Sequence, residues 1–266
     1  MKKNKNNFIW VGHRGAGGAF VANTMEAFEE GIARGAKALE CDIRVTKDKK
    51  FIIFHNPYLN DTYGERVLTE PKSGSTPESK NYSELKEMIV TQNRGSSLGP
   101  ACLFNGKIAG LDEYLDLCKK YDVEAIIEIK WTTGLNNNDQ SNVSLLVDFV
   151  KSKEMYQKTY FMTSMFEVLK AIRSKYPDAR LQFLCSSKKR YKEFKEECFE
   201  KRISLDMDYK HLNKRIIDCF HAKGLIVNTY TLNKKNKALS FIKKGVDMIT
   251  TDYLYFKDGK VVEYKR

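Results

Sequence analysis

Apolar positions in this chain gather into short β-rich runs separated by stretches with helical spacing. The runs are "FIWV" at 8–11, "ALECDIRV" at 38–45, "EAIIEIK" at 124–130 and "TYFMTS" at 159–164. They continue with "RLQFLCS" at 180–186, "ISLDM" at 203–207, "LIVNTY" at 225–230 and "MITTD" at 248–252, eight in all. Between them, apolar residues recur every three to four positions. The first helix opens at Asn23 with Glu26 as the far half of a capping box, carries Met25, Phe28 and Ile32 on one face, and stops at Gly35. Further stripes are Leu111, Tyr114, Leu115, Cys118; Leu145, Leu146, Phe149; Val168, Leu169, Ile172; Ile216, Ile217, Phe220; and Leu239, Ile242 before Gly245. Strand and helix alternating to the end predict a parallel sheet with crossover helices, and eight strands predict a closed α/β architecture, the (β/α)8 TIM barrel. No G-x-G-x-x-G opens a helix, which argues against the open, doubly wound alternative.

Two features interrupt the alternation. "DIRVTKDKKFIIFHN" is too short for a parallel crossover, which takes at least about ten residues, so it reads as a hairpin. A turn centred on Asp48 and Lys49 would set Asp42 opposite His55 with both side chains on one face. After His55 comes an irregular stretch, 56–110, holding four of the five prolines. It is expected to form an insertion over the barrel mouth, with a short helix near 83–89, in a single domain covering 1–266.

Length and composition fit this picture. The 266 residues suit one α/β barrel, and no apolar run approaches the ~18 residues of an integral membrane segment. The N-terminus is basic, but its apolar segment is far shorter than the roughly 7–15 residues of a secretion signal, so a cytoplasmic location is expected. The six cysteines, at 41, 102, 118, 185, 198 and 219, form no C-x-x-C pair or dense framework, which points to reduced thiols. The net charge is +12, from 46 basic and 34 acidic residues. The basic residues are dispersed in short runs and no nucleic-acid-binding signature accompanies them, so a solvated lysine-rich surface is expected and no nucleic-acid partner.

The candidate chemistry lies where barrel strands end. His13 and Arg14 end the first strand, Glu40 and Asp42 end the second, and Glu128 and Lys130 end the third. The i, i+2 spacing of the last two pairs puts both members on one side of a strand, while Cys41, Ile127 and Ile129 face the helices. Three carboxylates inside a barrel are costly unless paired or bound to a cation. With no thiol and no His-x-x-x-His spacing, Glu40, Asp42 and Glu128 describe a hard divalent site, Mg²⁺ or Ca²⁺. Arg14 and Lys130 beside that cation would hold a phosphate, and His13 and His55 would serve as acid and base in either order. His211 and His221, on a lysine-flanked stretch, read as ordinary surface histidines.

These residues resemble the glycerophosphodiester phosphodiesterase family. Its pattern H-R-G, five residues, P-E-N-T matches "HRG-AGGAF-VANT", and its E-x-D-[VI], T-x-D and H-D matches "ECDIRVTKDKKFIIFHN". Its E-x-K, W-T-x-N and T-D-Y correspond to "EIK", "YTLN" and "TDY". The resemblance runs from about residue 8 to 256. It implies a divalent metal on Glu40, Asp42 and Glu128, catalytic His13 and His55, and Arg14 and Lys130 on phosphate. The implied reaction cleaves a glycerophosphodiester to glycerol 3-phosphate and an alcohol such as choline or ethanolamine. Three positions depart from the pattern: Val21-Ala22 stand for Pro-Glu, Asn56 for Asp and Tyr230 for Trp, and none is a metal or catalytic position.

Two other readings use the same barrel. One is a phospholipase-D-like enzyme acting on lysophospholipids or intact phospholipids, by attack of an internal hydroxyl to give a cyclic phosphate. The other is a non-catalytic phosphate-ligand sensor, which would have no need of two histidines. Head group and oligomeric state are not written in these motifs.

Overall fold

A computed structural model describes residues 8–60, 64–67, 74–93, 105–130, 141–257 and 260–263. Eight parallel strands close on themselves: Ile9–Gly12, Ala38–Val45, Glu124–Ile129, Thr159–Thr163, Arg180–Cys185, Ser204–Asp208, Val227–Tyr230 and Met248–Thr251, here barrel strands one to eight. Strand one pairs with strand eight on one side and strand two on the other, which shuts the ring. Among the described residues seven helices make the crossovers: Met25–Ala33, Leu111–Lys120, Ser141–Ser152, Phe166–Lys175, Lys188–Glu200, Lys214–Ala222 and Lys235–Lys244. Lys188–Glu200 had no counterpart in the apolar stripes, because its few apolar residues are separated by charge. After strand eight an antiparallel hairpin, Leu254–Lys257 with Lys260–Glu263, follows, and Leu254 and Val261 join the core.

Strand alternation sorts side chains into two layers. Leu39, Cys41, Ile43, Ile127 and Ile129 pack outward against the helices, whereas Val11, Ala38, Ile126, Tyr160, Met162 and Met248 form a separate cluster inside the ring. Glu40, Asp42 and Glu128 share the parity of that inner set, as the spacing predicts. Most of the apolar helix stripes are buried; Met25, Ile32, Phe149, Leu239 and Ile242 are partly buried against the core, and Leu145 is exposed. The first helix is capped by Thr24, whose hydroxyl accepts from Ala27 N at 3.3 Å; Asn23, the residue expected in that role, adopts φ +62° one position earlier.

The hairpin after strand two forms, but in a register one residue away from the expected one. Ile43 pairs with Ile53, Arg44 with Ile52 and Val45 with Phe51. The turn has three residues, not two: Thr46 N donates to Lys50 O at 2.8 Å, and Lys49 takes a left-handed φ of +59°. Asp42 therefore faces Phe54, whose N–H donates to Asp42 O at 2.8 Å, and not His55.

The insertion contains its own small sheet, Gly64–Val67, Ile89–Asn93 and Gly106–Lys107, with a helix at Tyr82–Lys86. That helix ends before the expected residue 89, where a strand begins instead. Leu59, Val67, Leu85, Val90 and Ile108 bury against Val21, Ile52 and Phe54, so the described insertion packs on the loop after strand one and on the hairpin. The remaining insertion residues, and Cys102 with them, lie outside the described residues.

Candidate active site

The loop after strand one explains its glycines. Arg14 and Gly15 both take positive φ, +51° and +80°. A Cβ on Gly15 would sit 2.4 Å from the Ala27 backbone carbonyl, so only glycine lets the loop press against the first helix. The resulting turn aims Arg14 N at Glu40 Oε2, 3.0 Å away, and Arg14 Nε at Asp42 Oδ2, 2.9 Å away.

Asp42 and Glu128 are register partners on adjacent strands. One oxygen from each of Glu40, Asp42 and Glu128 lies within 4.8 Å of the others. Lys130 Nζ bridges Asp42 Oδ1 at 2.9 Å and Glu128 Oε1 at 2.6 Å. Three carboxylates, Glu40 and Asp42 buried and Glu128 nearly so, thus face two cations, and the imbalance shows in their acidities. Burial, with Asp42 and Glu128 beside it, pushes the Glu40 carboxyl well up. Burial also raises Glu128, only partly offset by Lys130. Asp42 is buried as deeply, yet Arg14, Lys130, His55 and the Asn23 amide together hold it well below the usual carboxylate range. Glu40 Oε1 is buried with no hydrogen-bond partner among the described residues. An all-oxygen donor set with one orphaned carboxylate oxygen and a deficit of positive charge fits a hard divalent cation.

The two histidines are held differently. His13 Nδ1 is 2.7 Å from Asp252 Oδ1, and its Nε2 lies 3.9 Å from Glu40 Oε2. His55 Nδ1 is 2.8 Å from Asn56 Oδ1. Burial, with Arg14 and Lys130 nearby, brings the His55 imidazole down to about 4 despite the opposing charge of Asp42. His55 stands close enough to Asp42 for each to shift the other, although the hairpin register does not pair them. The strand ends at Ile53, and the backbone turns away from ladder geometry before His55.

Several polar residues to which the sequence reading assigned no role also stand at the candidate site. Asn23 donates from Nδ2 to Asp42 Oδ2 at 2.9 Å, and its left-handed backbone is what turns the amide there. Asn233 donates to Asp252 Oδ2 at 2.6 Å and accepts from Asp252 N at 2.9 Å. Asp206, on the inner parity of strand six, is buried with Oδ1 unpartnered among the described residues; burial and then Glu128 push its carboxyl well up. The same surroundings, Asp206 foremost after burial, raise the Tyr230 phenol. The departures at 21 and 22 suit the insertion: Val21 joins its core and Ala22 N donates to Gln92 Oε1 at 3.0 Å. Asn56 keeps a carbonyl oxygen where the pattern has a carboxylate, so the histidine retains its acceptor. His221 is not a plain surface residue: it is half-buried, with Nε2 2.7 Å from Asp247 Oδ2. His211 is likewise only partly exposed.

The sequence model of the glycerophosphoryl diester phosphodiesterase family matches residues 13–255. The Bacillus subtilis protein YhdW is 26% identical over 94% of this chain and 97% of its own length. A crystal structure from Silicibacter pomeroyi DSS-3 superposes with a TM-score of 0.81 at 24% identity, covering 92% of this chain and 90% of its own. An Oleispira antarctica phosphodiesterase, solved with its product sn-glycerol-3-phosphate, superposes with a TM-score of 0.73 at 19% identity over 92% of both chains. With the match running through every part of the site, the chain belongs to the glycerophosphoryl diester phosphodiesterase family and is a phosphoric diester hydrolase.

Proposed function

We propose that this enzyme hydrolyses glycerophosphodiesters to glycerol 3-phosphate and an alcohol, using a divalent cation and two histidines. The observation that carries the reading is the cluster of Glu40, Asp42 and Glu128 with Arg14 and Lys130 against it and His13 and His55 beside it. Glu40, Asp42 and Glu128 would hold Mg²⁺ or Ca²⁺, which when bound supplies a Lewis acid for charge on the non-bridging phosphate oxygens. Arg14 and Lys130 add fixed positive charge for the same oxygens, Arg14 through a planar fork and Lys130 as a point charge.

The proton inventory favours one division of labour. His55, kept neutral by its buried setting, has Nδ1–H directed at Asn56, which makes Nε2 the atom that accepts the proton of the attacking water. His13 Nδ1 faces the Asp252 carboxylate, which orients the ring and leaves Nε2 as the atom that hands a proton to the departing alkoxide. Water oxygen bonds to phosphorus, the phosphorus–alkoxide bond breaks, and the two histidines exchange protonation states until solvent resets them. The Oleispira antarctica relative's glycerol 3-phosphate product supports this substrate class. No helix among the described residues is long and apolar enough to cross a membrane, and the five described cysteines are free, which fits a soluble cytoplasmic enzyme.

The test is turnover of glycerophosphocholine, glycerophosphoethanolamine, glycerophosphoglycerol and a lysophospholipid, each with and without chelator, read by phosphorus NMR. Glycerol 3-phosphate that vanishes with chelator is the expected result. A cyclic phosphate product would transfer the assignment to the phospholipase-D-like reading, and turnover surviving both chelator and His13→Ala would reject it.

A further inference from the structure

Arg44 is almost wholly buried, two positions beyond Asp42 on the same face of strand two. A buried guanidinium is costly unless its donors are satisfied. Arg44 Nη2 donates to the backbone carbonyl of His55 at 2.8 Å, and Nη1 pairs with Glu78 Oε1 at 3.2 Å. Glu78 belongs to the insertion, in a 3-10 turn at Pro77–Ser79.

The register of the hairpin shows why the first of these contacts matters. Carried on in ladder geometry, the pairing of Ile43 with Ile53 would place His55 opposite Cys41, on the face that packs against the helices. His55 instead leaves the ladder and stands within electrostatic reach of Asp42. Its carbonyl accepts from Arg44 Nη2, while its ring Nδ1 is held by Asn56 Oδ1. Two other bonds tie the insertion to the same hairpin: Lys47 N to Lys80 O at 2.9 Å and Tyr82 N to Asp48 Oδ1 at 2.8 Å.

The geometry points to Arg44 as a positioning residue that holds His55 out of the hairpin ladder and in the site, with Glu78 as the link through which the insertion sets that hold. Neither side chain has a place in the proposed chemistry. The inference rests on His55 acting in phosphodiester cleavage.

Arg44→Ala should lower kcat roughly 10²-fold, the scale expected when a reacting group shifts by about 1 Å, with KM little changed. Millimolar guanidinium, well below denaturing concentration, should recover part of the loss in Arg44→Ala and none in His55→Ala. Arg44→Lys should be intermediate, because an ammonium can reach one partner but cannot fork to two. Glu78→Gln should lower kcat by a smaller factor. In the metal-free protein, the His55 imidazole NMR signals should move in Arg44→Ala and Glu78→Gln while those of His13 stay in place. Wild-type kcat in Arg44→Ala overturns the proposal, as does a loss that guanidinium fails to recover with His55 signals unmoved. If Arg44→Ala does not fold, Glu78→Gln decides: unchanged kcat with unmoved signals overturns it. Full turnover in His55→Ala would instead end the catalytic reading of that residue, and the imidazole signals would still read the hold of Arg44 on it.

Discussion

His13 Nδ1 lies 2.7 Å from Asp252 Oδ1, joining the end of the first barrel strand to the turn after the last across 239 positions of sequence. Asp252 is itself fixed on both sides by Asn233, through its other oxygen and its backbone N–H. A carboxylate on Nδ1 fixes the orientation of the ring and leaves Nε2 to face the site.

Asp252→Asn should therefore keep the fold and lower kcat by about 10²–10⁴-fold, the range for losing an oriented acid-base group. Asn233→Ala should show a smaller loss in the same direction. Steady-state kinetics on glycerophosphocholine, with melting temperatures alongside, check both; a wild-type kcat in Asp252→Asn would show that His13 does not depend on it.

Glu40 gives a test of the metal that does not need turnover. Added Mg²⁺ or Ca²⁺ should raise the melting temperature of the wild type, since saturation to 100 times Kd stabilises by about 2.7 kcal/mol. Glu40→Gln should abolish most of that rise. In chelator the same variant should be at least as stable as wild type, because it removes a buried carboxyl already crowded by Asp42 and Glu128. A full metal response in Glu40→Gln would remove it from the ligand set.

Asp206 sets a pH dependence whose sign follows from its surroundings. In the unfolded chain its carboxyl ionises near 3.9. In the folded protein burial and Glu128 push it well up, so the folded state binds the extra proton and Asp206 costs stability as pH rises above about 4. Asp206→Asn should raise the melting temperature in chelator, more at pH 8 than at pH 5 and hardly at all near pH 3.5. Thermal scans at the three pH values check this; a gain that does not vary with pH would contradict it.

Asn23 combines a left-handed backbone with a hydrogen bond to a buried carboxylate. Asn23→Gly keeps the backbone and loses the bond; Asn23→Ala loses the bond and adds strain. Alanine should be the less stable of the two by about 1 kcal/mol, and both should bind metal roughly 10–100-fold more weakly. Denaturant unfolding and metal titration separate the two effects.

The barrel was legible in the sequence because each strand carries its own bounded apolar run, and the acidic cluster because i, i+2 spacing fixes a shared face whatever the rest of the chain does. What failed was set by single backbone choices. Lys49 in a left-handed conformation lengthens the hairpin turn and shifts its register, and no glycine announced it. Asn23 and Thr24 are both good cap residues, and only the need to reach Asp42 makes Asn23 give up that role. Helix Lys188–Glu200 hides its stripe of Tyr191, Phe194 and Cys198 among lysines and glutamates. Asp252 and Asn233 stood in recognised motifs, "TDY" and "YTLN", but their part came from ring closure, which local spacing does not encode.

That closure also governs when the molecule can first work. Strand one meets its neighbour in strand eight only after all the intervening barrel strands and helices have emerged, and contacts so distant in sequence form late. A nascent or C-terminally clipped chain could carry all three carboxylates and both imidazoles and still lack the partner of His13. Recovery of catalysis during refolding should then lag behind recovery of helix, making the enzyme a reporter of its own last assembly step.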